Sequence, residues 1–310
     1  MAGRDPRADI LDDDPFRNQK PRVHRVHTRQ SQDGTIHFDT GSSTRVNPLF
    51  AQMMGFAQQQ PAQMHKGKIW HFSDEEKKHL RLATAAFTVA LGFMAVGGIW
   101  GIKSLGPIPW VIQFLLSMPV LLLAVGPAFL LHEIGHKIVA KKNGCWAEFR
   151  ADPGGLRFGI FLSFFIGILF MAPGAVMVAG LVTRRQNGHI AIAGPLVNFG
   201  LFLIGIPLWG IILGLTGAFD AVIPGAGYIL GGQLIWQKML IDAGVYWIGA
   251  NLILGLFNML PFGPLDGNKV KDWNENAFYI TISVFALLVI TMFLGTWSPI
   301  TVLESIASLF

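Results

Sequence analysis

PWVIQFLLSMPVLLLAVGPAFLLHEIGHKIVAKK, residues 109–142, is the stretch from which the fold of this chain is read. From Pro109 to Leu131 it holds no charged side chain. As a helix rising about 1.5 Å per residue, such a run is long enough for a hydrocarbon layer of about 30 Å. It ends in His132-Glu133-Ile134-Gly135-His136, an HExxH pattern. Residues four apart share one face of a helix, so both imidazoles can reach a single metal ion. Glu133 projects beside them, placed to take a proton from an attacking water. A lone HExxH on a polar helix is often chance, but ionisable groups at membrane depth are costly and usually functional. The stretch predicts a metal site at the inner end of a membrane helix.

The whole chain has the same character. Of its 310 residues 52% are hydrophobic and 14% charged, and the mean hydropathy is +0.47. Charge is concentrated at the start, where residues 1–81 hold 13 of the 24 Lys and Arg and 10 of the 19 Asp and Glu. Six of nine histidines lie there too, leaving only His132, His136 and His189 in the apolar body. The fold class expected is an all-α polytopic membrane protein. It has about five to six transmembrane helices and a re-entrant hairpin or short β element near the metal site. The net charge of +5 reads as cytoplasmic-loop charge rather than a nucleic-acid surface. The lone Cys145 rules out an intrachain disulfide.

Residues 1–72 are polar, lack helical or alternating apolar periodicity, and read as a largely disordered cytoplasmic tail. Residues 73–310 form the membrane-embedded domain, opened by Ser73 as a helix N-cap with Glu76 three residues on. Spans are expected over Leu82–Trp100, Trp110–Ala140, Ile190–Leu215, Val245–Leu260 and Ala277–Leu294. Lys77, Lys78 and Arg81 before the first span place the N-terminus inside the cell membrane. Leu156–Gly180 is long enough to cross, yet Arg184 and Arg185 follow it. A hairpin that returns inside satisfies the charge rule, with Ala175–Ala179 as a short strand sheltered by protein. HExxH and Asp266 then both end spans on the inner side.

Two histidines need a third protein ligand. Residue 142 is Lys142, so the extended HExxHxxGxxH pattern fails. Glu148 and Asp152 lie in a polar loop, and His189 sits at a helix start beside Gly188. Asp266 is preferred. It stands among Pro261, Gly263, Pro264 and Gly267, which free backbone groups that must face protein or water. On its own, Pro-x-Asp-Gly would read as an ordinary turn.

HEIGH, AGPLVN (193–198) and FNMLPFGPLDG (257–267) together resemble the site-2 protease family of intramembrane zinc metalloproteases. The likeness spans roughly Phe129 to Val270, in the form without PDZ or CBS domains, and departs from the family's LDGG at Asn268. The resemblance implies one Zn²⁺ per chain held by His132, His136 and Asp266, with Glu133 as general base. It also implies that Asn198 and Asn258 help hold substrate or stabilise the oxyanion. The substrates implied are membrane-anchored proteins cut in or near their transmembrane segments. Two other readings compete. A heat-shock-type membrane metalloprotease needs a soluble helical catalytic domain, for which the apolar body leaves little room. A metal-dependent transporter or non-proteolytic scaffold has no use for the base that Glu133 offers.

Overall fold

The computed structural model describes residues 27–30, 36–39, 68–171, 173–180, 182–221 and 227–310. The chain divides into two compact units, Met1–Met64 and His65–Phe310. In the first, β1 (His27–Gln30) and β2 (Ile36–Asp39) pair antiparallel, with His27 opposite Asp39. Otherwise the expected disorder of residues 1–72 falls outside the described residues as far as Gly67.

The second unit opens with α1 (Asp74–Ala95), whose N-cap Ser73 accepts from the Glu76 amide at 3.1 Å. Asp74, Glu75 and Glu76 in its first turn complement the helix dipole. Left-handed Gly97 and Gly98 end it, and α2 (Gly101–Leu105) follows at a bend of 43°. The long α3 (Pro107–Lys142) then runs unbroken through Pro119 and Pro127. After it come β3 (Trp146–Ala151), α4 (Pro153–Ile166), β4 (Gly174–Ala179) and α5 (Arg184–Leu215). A two-residue hairpin of β5 (Ile229–Leu230) and β6 (Gln233–Leu234) leads into α6 (Trp236–Asn258). The chain closes with α7 (Asp266–Trp273), α8 (Glu275–Phe293) and α9 (Pro299–Ala307).

This is an all-α polytopic membrane protein. Among the described residues α3, α5, α6 and α8 are long and apolar enough to cross a membrane, and α1 with α2 makes a fifth if the bent pair is one span. The span expected over Val245–Leu260 begins earlier than its apolar run. One helix starts at Trp236 and runs to Asn258.

The expected hairpin takes a definite form. β4 pairs antiparallel with β3 from Trp146 opposite Ala179 to Ala151 opposite Gly174, so the chain returns beside the point it left. The intervening α4, 14 residues long, rises only about 21 Å and falls short of a bilayer core. The strand lies where the sequence places it, one residue longer at its start.

The helices α3, α5 and α6 pack pairwise about the centre of the unit. Gly135 lets α5 approach closely, since a Cβ there would sit 2.9 Å from Val197 and 3.2 Å from the Ala193 carbonyl. Small residues at such crossings are how helices gain contact in lipid, where apolar burial alone drives nothing. One core, including Phe202, Leu213, Ile248, Leu252 and Phe285, ties α5 and α6 to α8 and α9. A second, with Phe87, Leu121, Phe129 and Phe149, joins α1 and α3 to β3. The site lies between them.

Candidate metal centre

Two elements bring the centre together. Neighbouring turns of α3 carry His132 and His136, and the first residue of α7 is Asp266. All three are buried, and one ligand atom from each lies within 4.8 Å of the others. Nε2 of His132 and Nε2 of His136 are 3.0 Å apart, and Asp266 Oδ2 is 3.4 Å and 3.0 Å from them.

The outer hydrogen bonds decide where the imidazole protons are. Nδ1 of His136 lies 2.7 Å from the Ile190 carbonyl, which only accepts, so that nitrogen carries its proton. Asn198 Nδ2 lies 3.0 Å from the Ala128 carbonyl, so its oxygen is the atom facing His132 Nδ1 at 2.6 Å. His132 therefore also donates from Nδ1. With both rings neutral, protons on Nδ1 leave two Nε2 lone pairs that converge with a carboxylate oxygen on one point.

That arrangement is repulsive unless a cation sits there. Tetrahedral zinc with ligand bonds of about 2.0–2.1 Å holds its ligand atoms about 3.3–3.4 Å apart, close to the separations here. The residues fit the metal. Burial would push the Asp266 carboxyl up, but His136 and His132 beside it hold it well below the usual carboxylate range. The backbone makes room as well: a Cβ on Gly194 of α5 would lie 2.5 Å from Nε2 of both histidines.

Beside the ligands, Glu133 Oε2 is buried and has no hydrogen-bond partner. It faces a cavity of about 520 Å³ that His132, His136, Asp266 and Asn258 also line. The far walls are apolar, with Phe87, Phe129, Leu254 and Phe257. Residues 173–178, which include most of β4, form one side.

The sheet presents one open edge to this cavity. Phe149 of β3 donates its amide to Glu76 Oε1 at 3.0 Å, and Ala151 donates to His79 Nδ1 at 3.0 Å, so α1 covers the outer edge of β3. Because those amides point away from β4, Phe149–Val176 and Ala151–Gly174 are non-hydrogen-bonded pairs. Gly174, Val176 and Val178 therefore direct their own amides and carbonyls away from β3, on the side that lines the cavity.

The other ligand candidates are engaged elsewhere. Glu148 pairs with Arg150 at 2.8 Å and accepts from Ser73 at 2.8 Å. Asp152 caps α4 by accepting from the Gly154 amide. His189 packs edge-on against Trp273 with ring centres 4.5 Å apart. The two asparagines separate in position. Asn258 donates to Leu254 O at 3.0 Å and lines the cavity with an amide proton to spare. Asn198 is fully buried and spends both amide protons, on Ala128 O and on Asn251 Oδ1 at 3.0 Å. An oxyanion role does not suit it; its oxygen orients His132 instead.

Sequence reasoning missed Asn251, Gly194 and a buried ion pair between Glu76 and Lys137. The lysine follows His136 directly, a signal that was available. Gly194 lies within the AGPLVN stretch, which does not show its closeness to the two rings, and Asn251 has no signal, since it matters only through what a neighbouring helix brings to it.

Half of the chain aligns with zinc metalloproteases. It is 39% identical over 154 residues to "Putative zinc metalloprotease MJ0611" of Methanocaldococcus jannaschii, covering 49% of this chain and 69% of that one. It is 31% identical over 156 residues to "Putative zinc metalloprotease YwhC" of Bacillus subtilis, covering 50% and 68%. A second M. jannaschii protein, "Zinc metalloprotease MJ0392", is 30% identical over 151 residues, 33% of its length. No protein-family model matches the chain. No solved structure does so significantly.

Proposed function

The chain belongs to the zinc metalloprotease family of these relatives, and from that premise we propose that it is an intramembrane protease of the site-2 type. It hydrolyses peptide bonds in or near the transmembrane segment of membrane-anchored proteins. One observation carries the reading: two imidazoles and a carboxylate converge beside Glu133, whose buried Oε2 has no hydrogen-bond partner, at the ends of apolar helices.

His132, His136 and Asp266 would hold one Zn²⁺. When bound, zinc supplies a Lewis acid that polarises a carbonyl and brings the pKa of water to about 7. Glu133 takes the proton of the attacking water and returns it to the leaving amine. Its free Oε2 is the acceptor for that proton. Asn258 donates its spare amide proton to the developing oxyanion. Asn198 fixes the His132 ring.

A helical substrate conceals its carbonyls in hydrogen bonds and must be drawn out before attack. Val176 and its neighbours on β4 offer the unwound segment an edge to pair with. The basic flanks Lys77, Lys78, Lys141, Arg184, Arg185 and Lys271 suit a cytoplasmic N-terminus and a site near the inner face of the cell membrane.

The test is paired. Zinc content and cleavage of a model membrane-spanning substrate are measured for the parent protein and for Glu133→Gln. The proposal expects zinc in both and cleavage in the parent alone. Equal cleavage by both would remove Glu133 as base, and absence of zinc from the parent would undo the proposal.

A further inference from the structure

Behind His132 the hydrogen bonding continues past Asn198. Asn251, on α6, is completely buried, flanked on its helix by the buried Ile248 and Leu252. Its Nδ2 donates to the Trp247 carbonyl at 2.8 Å. A carbonyl only accepts, so the amide cannot be turned round, and Asn251 Oδ1 is the atom presented to Asn198. There it receives the second Nδ2 proton of Asn198 at 3.0 Å. The Trp247 side chain ties back to α5 through Leu201 O at 2.9 Å.

The path thus runs from α6 through α5 to α3 and ends on a ring nitrogen of His132. Each link is polarised in one direction. If Asn198 flipped its amide, its Nδ2 would face His132 Nδ1, donor against donor, and its oxygen would face Ala128 O and Asn251 Oδ1. We propose that Asn251 is a positioning residue of the metal centre: acting through Asn198, it fixes the tautomer and ring orientation of His132. This rests on the metal reading of His132, His136 and Asp266 given above. It differs from the bland role of a buried asparagine, that of gluing two membrane helices, which is indifferent to metal.

The experiment uses the full-length protein in detergent and needs no protease substrate. Zinc affinity is measured by competition with a chelator for the parent, Asn251→Leu, Asn251→Asp, Asn198→Ala and the Asn251→Leu/Asn198→Ala pair. Loss of an outer partner of a ligating histidine weakens metal binding about 10–100-fold, so Asn251→Leu is expected to lose roughly tenfold. Asn251→Asp keeps an oxygen that accepts from Asn198 and loses less. In the Asn198→Ala background, Asn251→Leu changes nothing further, because its route to His132 is already cut. At saturating Co²⁺ the visible bands of Asn251→Leu move toward those of Asn198→Ala. Parent-like affinity for Asn251→Leu, or losses that multiply in the double variant, would overturn the proposal. Should Asn251→Leu fail to fold, Asn251→Asp against Asn198→Ala decides on the same readouts. A parent that binds no zinc overturns the metal reading itself, which is a separate result.

Discussion

Gly194→Ala sets two magnitudes against each other. In the interior of α5 the change should favour the helix by about 1 kcal/mol, since glycine is the poorer helix former. At the centre it should be ruinous. The new Cβ would lie 2.5 Å from Nε2 of His132 and of His136, while carbon contacts relax near 3.5 Å. Something must therefore move by about 1 Å, and metal sites tolerate about 0.2 Å in ligand distance. Two of three ligands are affected together, so the loss should exceed that of an outer-partner mutation and reach at least about 100-fold in zinc affinity, or about 2.7 kcal/mol. Chelator competition on purified protein reads the affinity, and thermal unfolding without metal reads the helix. The expected pattern is weak zinc binding with an apo fold that shifts little in stability, the helix gain offsetting part of the overpacking cost of about 1–3 kcal/mol. Zinc binding within about threefold of the parent would refute the placement of α5 against the two rings.

Three further outcomes test separate parts of the site. Asn258→Ala should retain zinc while kcat falls by about 10²–10³-fold, the usual cost of losing an oxyanion donor; unchanged kcat in a single-turnover assay would clear Asn258 of that role. Val176→Pro removes an amide that points away from β3, so the sheet should survive and zinc content stay level while cleavage of a membrane substrate falls, and undiminished cleavage would sink strand pairing. Glu76→Gln strands a buried Lys137, both side chains being at most 2% exposed. It should destabilise by about 3–5 kcal/mol, whereas replacing both partners by apolar residues should cost little; equal melting temperatures for the single variant and the parent would contradict burial of this pair.

Long apolar periodicity and charge placement made the spans legible, because lipid demands both in a contiguous stretch. Their ends were less so. The stop at Gly97 and Gly98 and the unbroken start of α6 at Trp236 depend on packing, Gly98 lying against the Phe164 carbonyl and Trp110 Nε1 donating to Gly98 O at 2.8 Å. The hairpin was readable from a conflict of charges, and Ala175–Ala179 as a short strand within it. Which strand partners it was not, since β3 reads as a polar loop in isolation.

By itself the sequence determined the class of the protein and the chemistry on offer: apolar helices, an HExxH pair and an Asp266 turn at comparable depth. Those features are local in the chain, set by periodicity and residue type. Only the tertiary structure decided what each polar group does. It gave Asn198 to His132 rather than to the cavity, left Glu133 Oε2 without a partner, and covered the outer edge of β3 with Glu76 and His79 so that the other edge of the sheet faces the centre. A buried donor or acceptor takes its role from the partner it meets, and these partners lie 53 to 73 residues away along the chain.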